Sequence, residues 1–174
     1  VKPIARLVMG VDNQTVAPHA FAMYDDYFER GGNVFDTAWL YGQLKSALLG
    51  RWIRNRGVRE KVLIIGKGAH TPLCNPASLL SQFDEQLQWL GTDYVDIYFM
   101  HRDNPDIPAS EFVDVLNRLK KAGRLRLFGG SNWTRERIEE ANDYARRNNL
   151  TPFQAVSNNL SLARMVEPPW FECI

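Results

Sequence analysis

Short runs of apolar residues recur along the chain: "ARLVMG" (5–10), "NVFD" (33–36), "VLIIGK" (62–67), "VDIYFMH" (95–101), "LRLFGG" (125–130) and "FQAVS" (153–157). They are rich in β-branched and aromatic residues and give way to Gly or a polar residue, the pattern of parallel strands buried on both faces. Successive runs lie about thirty residues apart, the length of one strand-and-helix unit. Between them the apolar spacing changes to three and four. Ala20, Tyr24, Tyr27 and Phe28 form one stripe, stopped by Gly31 and Gly32. Leu79, Phe83, Leu87 and Leu90 form another, with Asn75 as N-cap, Pro76 at the first helical position and Gly91 beyond the end. Ser110 is expected to cap a helix that turns Phe112, Leu116 and Leu119 inward and stops at Gly123, and Thr134 to cap the next. Arg137 stands where a capping box would place Glu or Gln, so Thr134 is read as a cap alone.

Strand and helix alternating over short links imply a parallel sheet with right-handed crossovers. An open doubly wound sheet would carry a Gly-rich phosphate loop after its first strand, and "MGVDNQT" contains neither GxGxxG nor GxxxxGK. The fold class expected is therefore α/β, a TIM (β/α)8-type barrel of which this chain supplies about six strands and five helices. Residues 1–174 read as a single barrel domain, incomplete at its C-terminal end. Open sheet edges at both ends would favour self-association.

Composition narrows the partners. With 45% apolar and 24% charged residues, the chain has the composition of an ordinary globular domain rather than a disordered one. A formal charge of +1 offers no broad field for nucleic acid or an anionic membrane, so a small-molecule partner is expected. No apolar run reaches the length of a membrane span, no leader pattern opens the chain, and Cys74 and Cys173 lack a pairing or ligand pattern. The expectation is a cytoplasmic protein with free thiols and no metal. His19, His70 and His101 are too far apart in sequence to suggest a zinc set.

A barrel gathers its chemistry on the loops that follow its strands. Asp36, Lys67 and His101 end three of the runs, and Ser131 and Asn132 follow a fourth. Each alone reads more readily as loop polarity; their convergence on one rim favours a site. Tyr41, five residues past Asp36, is a poor acid unless a cation favours its phenolate, and Lys67 provides one. Asp36 would keep Lys67 charged, and His101 can donate to a carbonyl oxygen or pass a proton. The set suits protonation of an oxygen that becomes negative during reaction. Trp39 and Trp133 weigh evenly between lining a substrate pocket and packing. Arg102 reads as the partner of Asp103 or Asp106, and the run Arg51, Arg54, Arg56, Arg59 and Lys61 as a solvated face. Met9, Met100 and Trp89 read as core.

The combination resembles the aldo/keto reductases. "FDTAWLYG" matches their Asp-Thr-Ala-x-x-Tyr-Gly motif, "IIGKG" is similar to the strand carrying their lysine, "YVDIYFMH" to the strand ending in their histidine, and "FGGSNW" to their Gly-x-Ser-Asn motif. The resemblance runs in order from about residue 5 to residue 166. It implies hydride transfer from C4 of NADPH, or NADH in its place, to an aldehyde or ketone, reversible as alcohol oxidation. Tyr41 would be the general acid, Lys67 and Asp36 its activators, and His101 the residue that orients the carbonyl. Ser131 and Asn132 would hold the nicotinamide carboxamide, with Gly10, Val11 and Asp36 also on the cofactor face. In "SNNLSL", Ser157 stands where the family has a glutamine and Leu160 where it has a tyrosine, so Ser157 would make a shorter contact. The rival readings are a binding or regulatory relative without turnover, a barrel in which Lys67 forms a Schiff base, and an inactive fragment of such a barrel.

Overall fold

The structure, a computed structural model, describes residues 3–159, 162, 166–169 and 173. Leu160 and most of the segment after it lie outside the described residues. Among the described residues, six parallel strands pair strictly in chain order: β1 (Met9–Gly10), β2 (Val34–Asp36), β3 (Leu63–Gly68), β4 (Val95–Met100), β5 (Leu125–Ser131) and β6 (Ala155–Ser157). A doubly wound sheet reverses its order at a switch point. Here the order never reverses, so every crossover turns the same way and the sheet winds as a barrel does. Within the described residues β1 and β6 each have one neighbour.

The alternation of side chains along each strand separates two apolar layers. Val34, Leu63, Ile65, Ile97 and Phe99 point inward and form one cluster with Leu127 and Ala155. Phe35, Ile64, Tyr98, Met100 and Phe128 point outward into the larger core shared with the helices. This parity fixes the site. Asp36 lies two residues beyond Val34, Lys67 two beyond Ile65, His101 two beyond Phe99, and Ser157 two beyond Ala155. Each continues the inner face past the apolar layer, where the strands run out and solvent begins.

Among the described residues, five α-helices pack outside the sheet: α1 (Ala17–Glu29), α2 (Gln43–Arg56), α3 (Pro76–Leu90), α4 (Ala109–Lys121) and α5 (Arg135–Arg147). In α3 the Asn75 side chain accepts from Ser78 N at 2.9 Å, Pro76 occupies the first turn, and Gly91 takes the left-handed φ of 64° that ends it. In α5 the Thr134 hydroxyl accepts from Arg137 N at 3.2 Å. Ser110 is not the cap of α4. That helix begins at Ala109, two residues before the start a Ser110 cap would give, and the Ala109 N–H is met by Glu140 Oε1 of α5 at 3.2 Å. A carboxylate from the neighbouring helix replaces a local cap.

The cationic run along α2 is not a solvated face throughout. Arg54 donates to Leu90 O at 2.8 Å, Arg56 pairs with Asp25, and Arg59 pairs with the buried Asp96 at 2.9 Å while covering the Tyr94 ring. Trp52 of the same helix is buried against Tyr24 and Phe35, with ring centroids 5.6 and 5.0 Å away. Met9 is partly buried against the core and Met100 is fully buried, as expected. Trp89 is only half-buried and stacks on Trp39 with centroids 6.3 Å apart.

Gly129 allows the closest strand contact. A Cβ there would fall 1.8 Å from Ala155 O on β6. Gly129→Ala is expected to push β6 away and destabilise the protein by about 1–3 kcal/mol, the usual cost of overpacking a dense interior. The check is the midpoint of equilibrium urea unfolding.

Candidate active site

The turn that follows β2 explains how Tyr41 comes back to the rim. Thr37 and Ala38 are buried, and the Thr37 and Ser46 hydroxyls share a hydrogen bond at 3.1 Å that ties the turn to α2. Trp39–Tyr41 then form one 3-10 turn. Gly42, at φ 90°, reverses the chain into α2 through a conformation that a side chain would strain. Within this turn Trp39 leans outward, its indole N–H donating to Glu85 Oε2 at 2.7 Å, and Tyr41 leans inward.

Inside, the Lys67 ammonium pairs with the Asp36 carboxylate and donates to the Tyr41 hydroxyl at 3.3 Å. The His101 ring stands edge-on to Tyr41 with centroids 6.0 Å apart. All four line one cleft of about 680 Å³ at the C-terminal end of the strands. Ser131, Asn132 and Ser157 line its far side. Ser131 Oγ donates to Ser157 O at 2.9 Å and accepts from Asn132 Nδ2 at 3.0 Å, which joins the ends of β5 and β6. Asn132 adopts a positive φ of 56°, a conformation that Asn tolerates better than most residues.

Two electrostatic features set the chemistry. The Tyr41 phenol is held above its usual range because burial outweighs the lowering effect of Lys67, and the Asp36 charge offsets part of the lysine's field. The sequence led us to expect Lys67 to dominate; instead the resting phenol stays protonated, the state a proton donor needs. His101 is pushed down to about 2, first by burial and then by the positive charges around it, so its ring is neutral across the working range. Its Nδ1 is buried without a hydrogen-bond partner.

The sign of that shift gives a stability prediction. An unfolded His101 takes up a proton as pH falls through about 6.5, whereas the folded ring does not until about 2. The unfolded state therefore binds more protons below about pH 6.5, and stability falls with falling pH by up to about 1.4 kcal/mol per unit from this residue. His101→Asn is expected to flatten the pH dependence of the urea midpoint between about pH 6.5 and 4.

Some expected residues lie elsewhere. Trp133 does not line the cleft: it is fully buried, packs against Phe112 and Phe153, and donates its indole N–H to Arg102 O at 3.1 Å. Trp39 also stays outside the described lining, held by Glu85 and Trp89. Val11 turns its side chain into the core and uses its N–H on Asp36 O at 3.1 Å, so only its backbone and Gly10 stand near the rim. Asp103 is taken by Arg137 at 2.8 Å rather than by Arg102, whose guanidinium donates to His101 O at 2.8 Å and borders the cleft.

The cleft also gathers residues that the sequence reading did not assign to it: Asp12, Leu40, His70, Asn158 and Asn159. His70 and His101, distant in sequence, have ring centroids 4.8 Å apart. No group of three or more His, Cys, Asp or Glu able to hold a metal occurs among the described residues. His70 follows Lys67 by three residues, so the rule that singled out strand ends would have reached it had the loop after β3 been counted.

Residues 7–172 match the model of the aldo/keto reductase family. The chain belongs to that family. It is 30% identical over 148 residues to norsolorinic acid reductase stcV of Emericella nidulans, covering 77% of this chain and 38% of that protein. Over 119 residues it is 31% identical to aldo-keto reductase YhdN of Bacillus subtilis, covering 64% of this chain and 36% of that protein. The probable aryl-alcohol dehydrogenase AAD4 of Saccharomyces cerevisiae is 29% identical over 149 residues, with 77% and 45% covered. The chain thus spans less than half the length of each of these relatives.

Proposed function

We propose that the protein reduces an aldehyde or ketone to an alcohol by hydride transfer from NADPH, or from NADH in its place, with Tyr41 as the proton donor. The observation that carries this reading is the partly buried chain of contacts from Asp36 through Lys67 to the Tyr41 hydroxyl, beside a neutral His101. As hydride reaches the carbonyl carbon, negative charge grows on its oxygen. Tyr41 gives that oxygen a proton, and the phenolate left behind is met by the Lys67 ammonium. His101, uncharged, can donate to the carbonyl oxygen without competing as an acid.

The nicotinamide cofactor supplies the hydride. Ser131, Asn132 and Ser157, on the side of the cleft across β5 and β6, are the residues that would hold its carboxamide, and their polar side chains fit an amide. A Schiff-base role for Lys67 fits less well, because its amine is already engaged by the Asp36 carboxylate and the Tyr41 hydroxyl. No described helix is long and apolar enough to cross a membrane. Cys74 and Cys173 are free thiols, which supports a reducing, cytoplasmic setting.

The test is oxidation of NADPH, followed by its absorbance, when the full-length protein meets a panel of small aldehydes and ketones. Turnover is expected with at least one. Nucleotide binding with no turnover across the panel would overturn the reading in favour of a binding role.

A further inference from the structure

We infer that Glu85 and Trp89 of α3 are positioning residues for the reduction: they grip Trp39 and thereby set where the turn after β2 presents the Tyr41 hydroxyl. The inference rests on Tyr41 as proton donor and deepens that reading. The contacts inside the cleft do not place the phenol by themselves. The Lys67 ammonium, paired with Asp36, donates to the Tyr41 hydroxyl across 3.3 Å, beyond the roughly 2.7–3.2 Å of ordinary N–H···O bonds. His101 meets the Tyr41 ring edge-on, with centroids 6.0 Å apart. The reach of the phenol is left to the backbone that carries it.

That backbone is one 3-10 turn, Trp39–Tyr41, in which Tyr41 N donates to Ala38 O at 3.1 Å and Gly42 N to Trp39 O at 3.0 Å. Tyr41 lines the cleft, Leu40 is 51% exposed and gives the turn little anchorage, and Trp39 leads to α3.

Helix α3 receives the indole at two points. Its N–H donates to Glu85 Oε2 at 2.7 Å, a short bond to a charged acceptor, and its ring lies within 18° of parallel to Trp89, with centroids 6.3 Å apart. Glu85 and Trp89 are four residues apart and share one face of the helix. A hydrogen bond alone would let the indole swing about it, and a stacked ring alone would let it slide; together they fix its place and its plane. The helix is itself anchored by the buried Leu79, Phe83, Leu87 and Leu90. It also holds the strand end that bears Lys67, because Ala69 N donates to the buried Gln82 Oε1 at 2.7 Å. One rigid element thus carries both the turn of Tyr41 and the end of β3, and sets the spacing between phenol and ammonium.

The experiment measures single-turnover oxidation of bound NADPH, with a carbonyl compound that the full-length protein reduces, in wild type, Glu85→Ala, Tyr41→Phe and the double variant. Glu85→Ala is expected to lower the rate about five- to tenfold, the order that one hydrogen bond to a charged acceptor supplies, with the Kd of NADPH and the KM of the substrate changed less than about twofold. Glu85→Gln keeps an acceptor oxygen for the indole and is expected to stay within about twofold of wild type. In the Tyr41→Phe background Glu85→Ala is expected to change the rate less than about twofold, since the hydroxyl it places is gone; a merely structural role would lower the rate equally in both backgrounds. Glu85 is exposed and Ala is a strong helix former, so the fold is retained, and Trp89→Leu carries the same cycle to the stacked ring. An equal fall in both backgrounds, or no fall in wild type, overturns the inference while leaving the reductase reading intact. A Tyr41→Phe protein as fast as wild type overturns both.

Discussion

Replacing Tyr41 by Phe in the full-length protein is expected to lower kcat for carbonyl reduction by about 10² or more, while NADPH binding stays within about twofold. The substitution removes one oxygen and keeps the ring. That oxygen is the acceptor of the Lys67 ammonium at 3.3 Å and the group we assign as proton donor, whereas the ring edge toward His101 is unchanged. Because burial favours the protonated phenol, the wild-type protein is expected to meet substrate already in the donating state, with the whole loss falling on the chemical step. Single-turnover oxidation of bound NADPH separates that step from binding and release. An unaltered single-turnover rate would remove Tyr41 from the proton path and leave water or His101 in its place.

The sequence made the strand ends legible because parity does the work. A strand that is apolar on consecutive positions and then turns polar must place that polar residue either inward or outward, and the apolar layer beneath it decides which. Asp36, Lys67 and His101 each fall two residues beyond an inward side chain, so "NVFD", "VLIIGK" and "VDIYFMH" already held the rim. The same logic fails for Trp133. It directly follows Asn132, whose positive φ turns the chain at the end of β5, and the indole drops into the core against Phe112 and Phe153. A left-handed residue cannot be read from the periodicity around it.

The missed cap of α4 and the missed partner of Asp103 have one cause. Arg137 bonds Asp103 and Ile107 O in the loop after β4 and Glu140 on its own helix, and Glu140 in turn meets the first N–H of α4. The contacts to Asp103, to Ile107 and to Ala109 join positions 30–34 residues apart, so neither a local capping rule nor a nearest-charge rule could find them. His70 escaped for a related reason: its ring neighbour, His101, follows the adjacent strand rather than lying nearby along the chain.

Lys67→Met is expected to lower kcat by about 10²–10³ and to destabilise the fold, and the two effects are expected to separate in a double variant. The lysine is buried and its partner Asp36 has a side chain only 21% exposed, so removing the ammonium leaves a carboxylate with little water and no counter-charge. Breaking a well-buried pair costs about 3–5 kcal/mol; partial exposure of Asp36 places this one lower, at about 1–3 kcal/mol. Asp36→Asn in the Lys67→Met background removes the stranded charge and is expected to recover most of the lost stability. It does not return the cation that meets the Tyr41 phenolate, so the rate is expected to stay down. Recovery of rate together with stability would make the pair a structural tie and nothing more. The measurements are urea midpoints and single-turnover rates on the four members of the cycle. Stability and rate part company only if the lysine acts on the phenol as well as on the carboxylate, which is the arrangement in which its ammonium lies between the two.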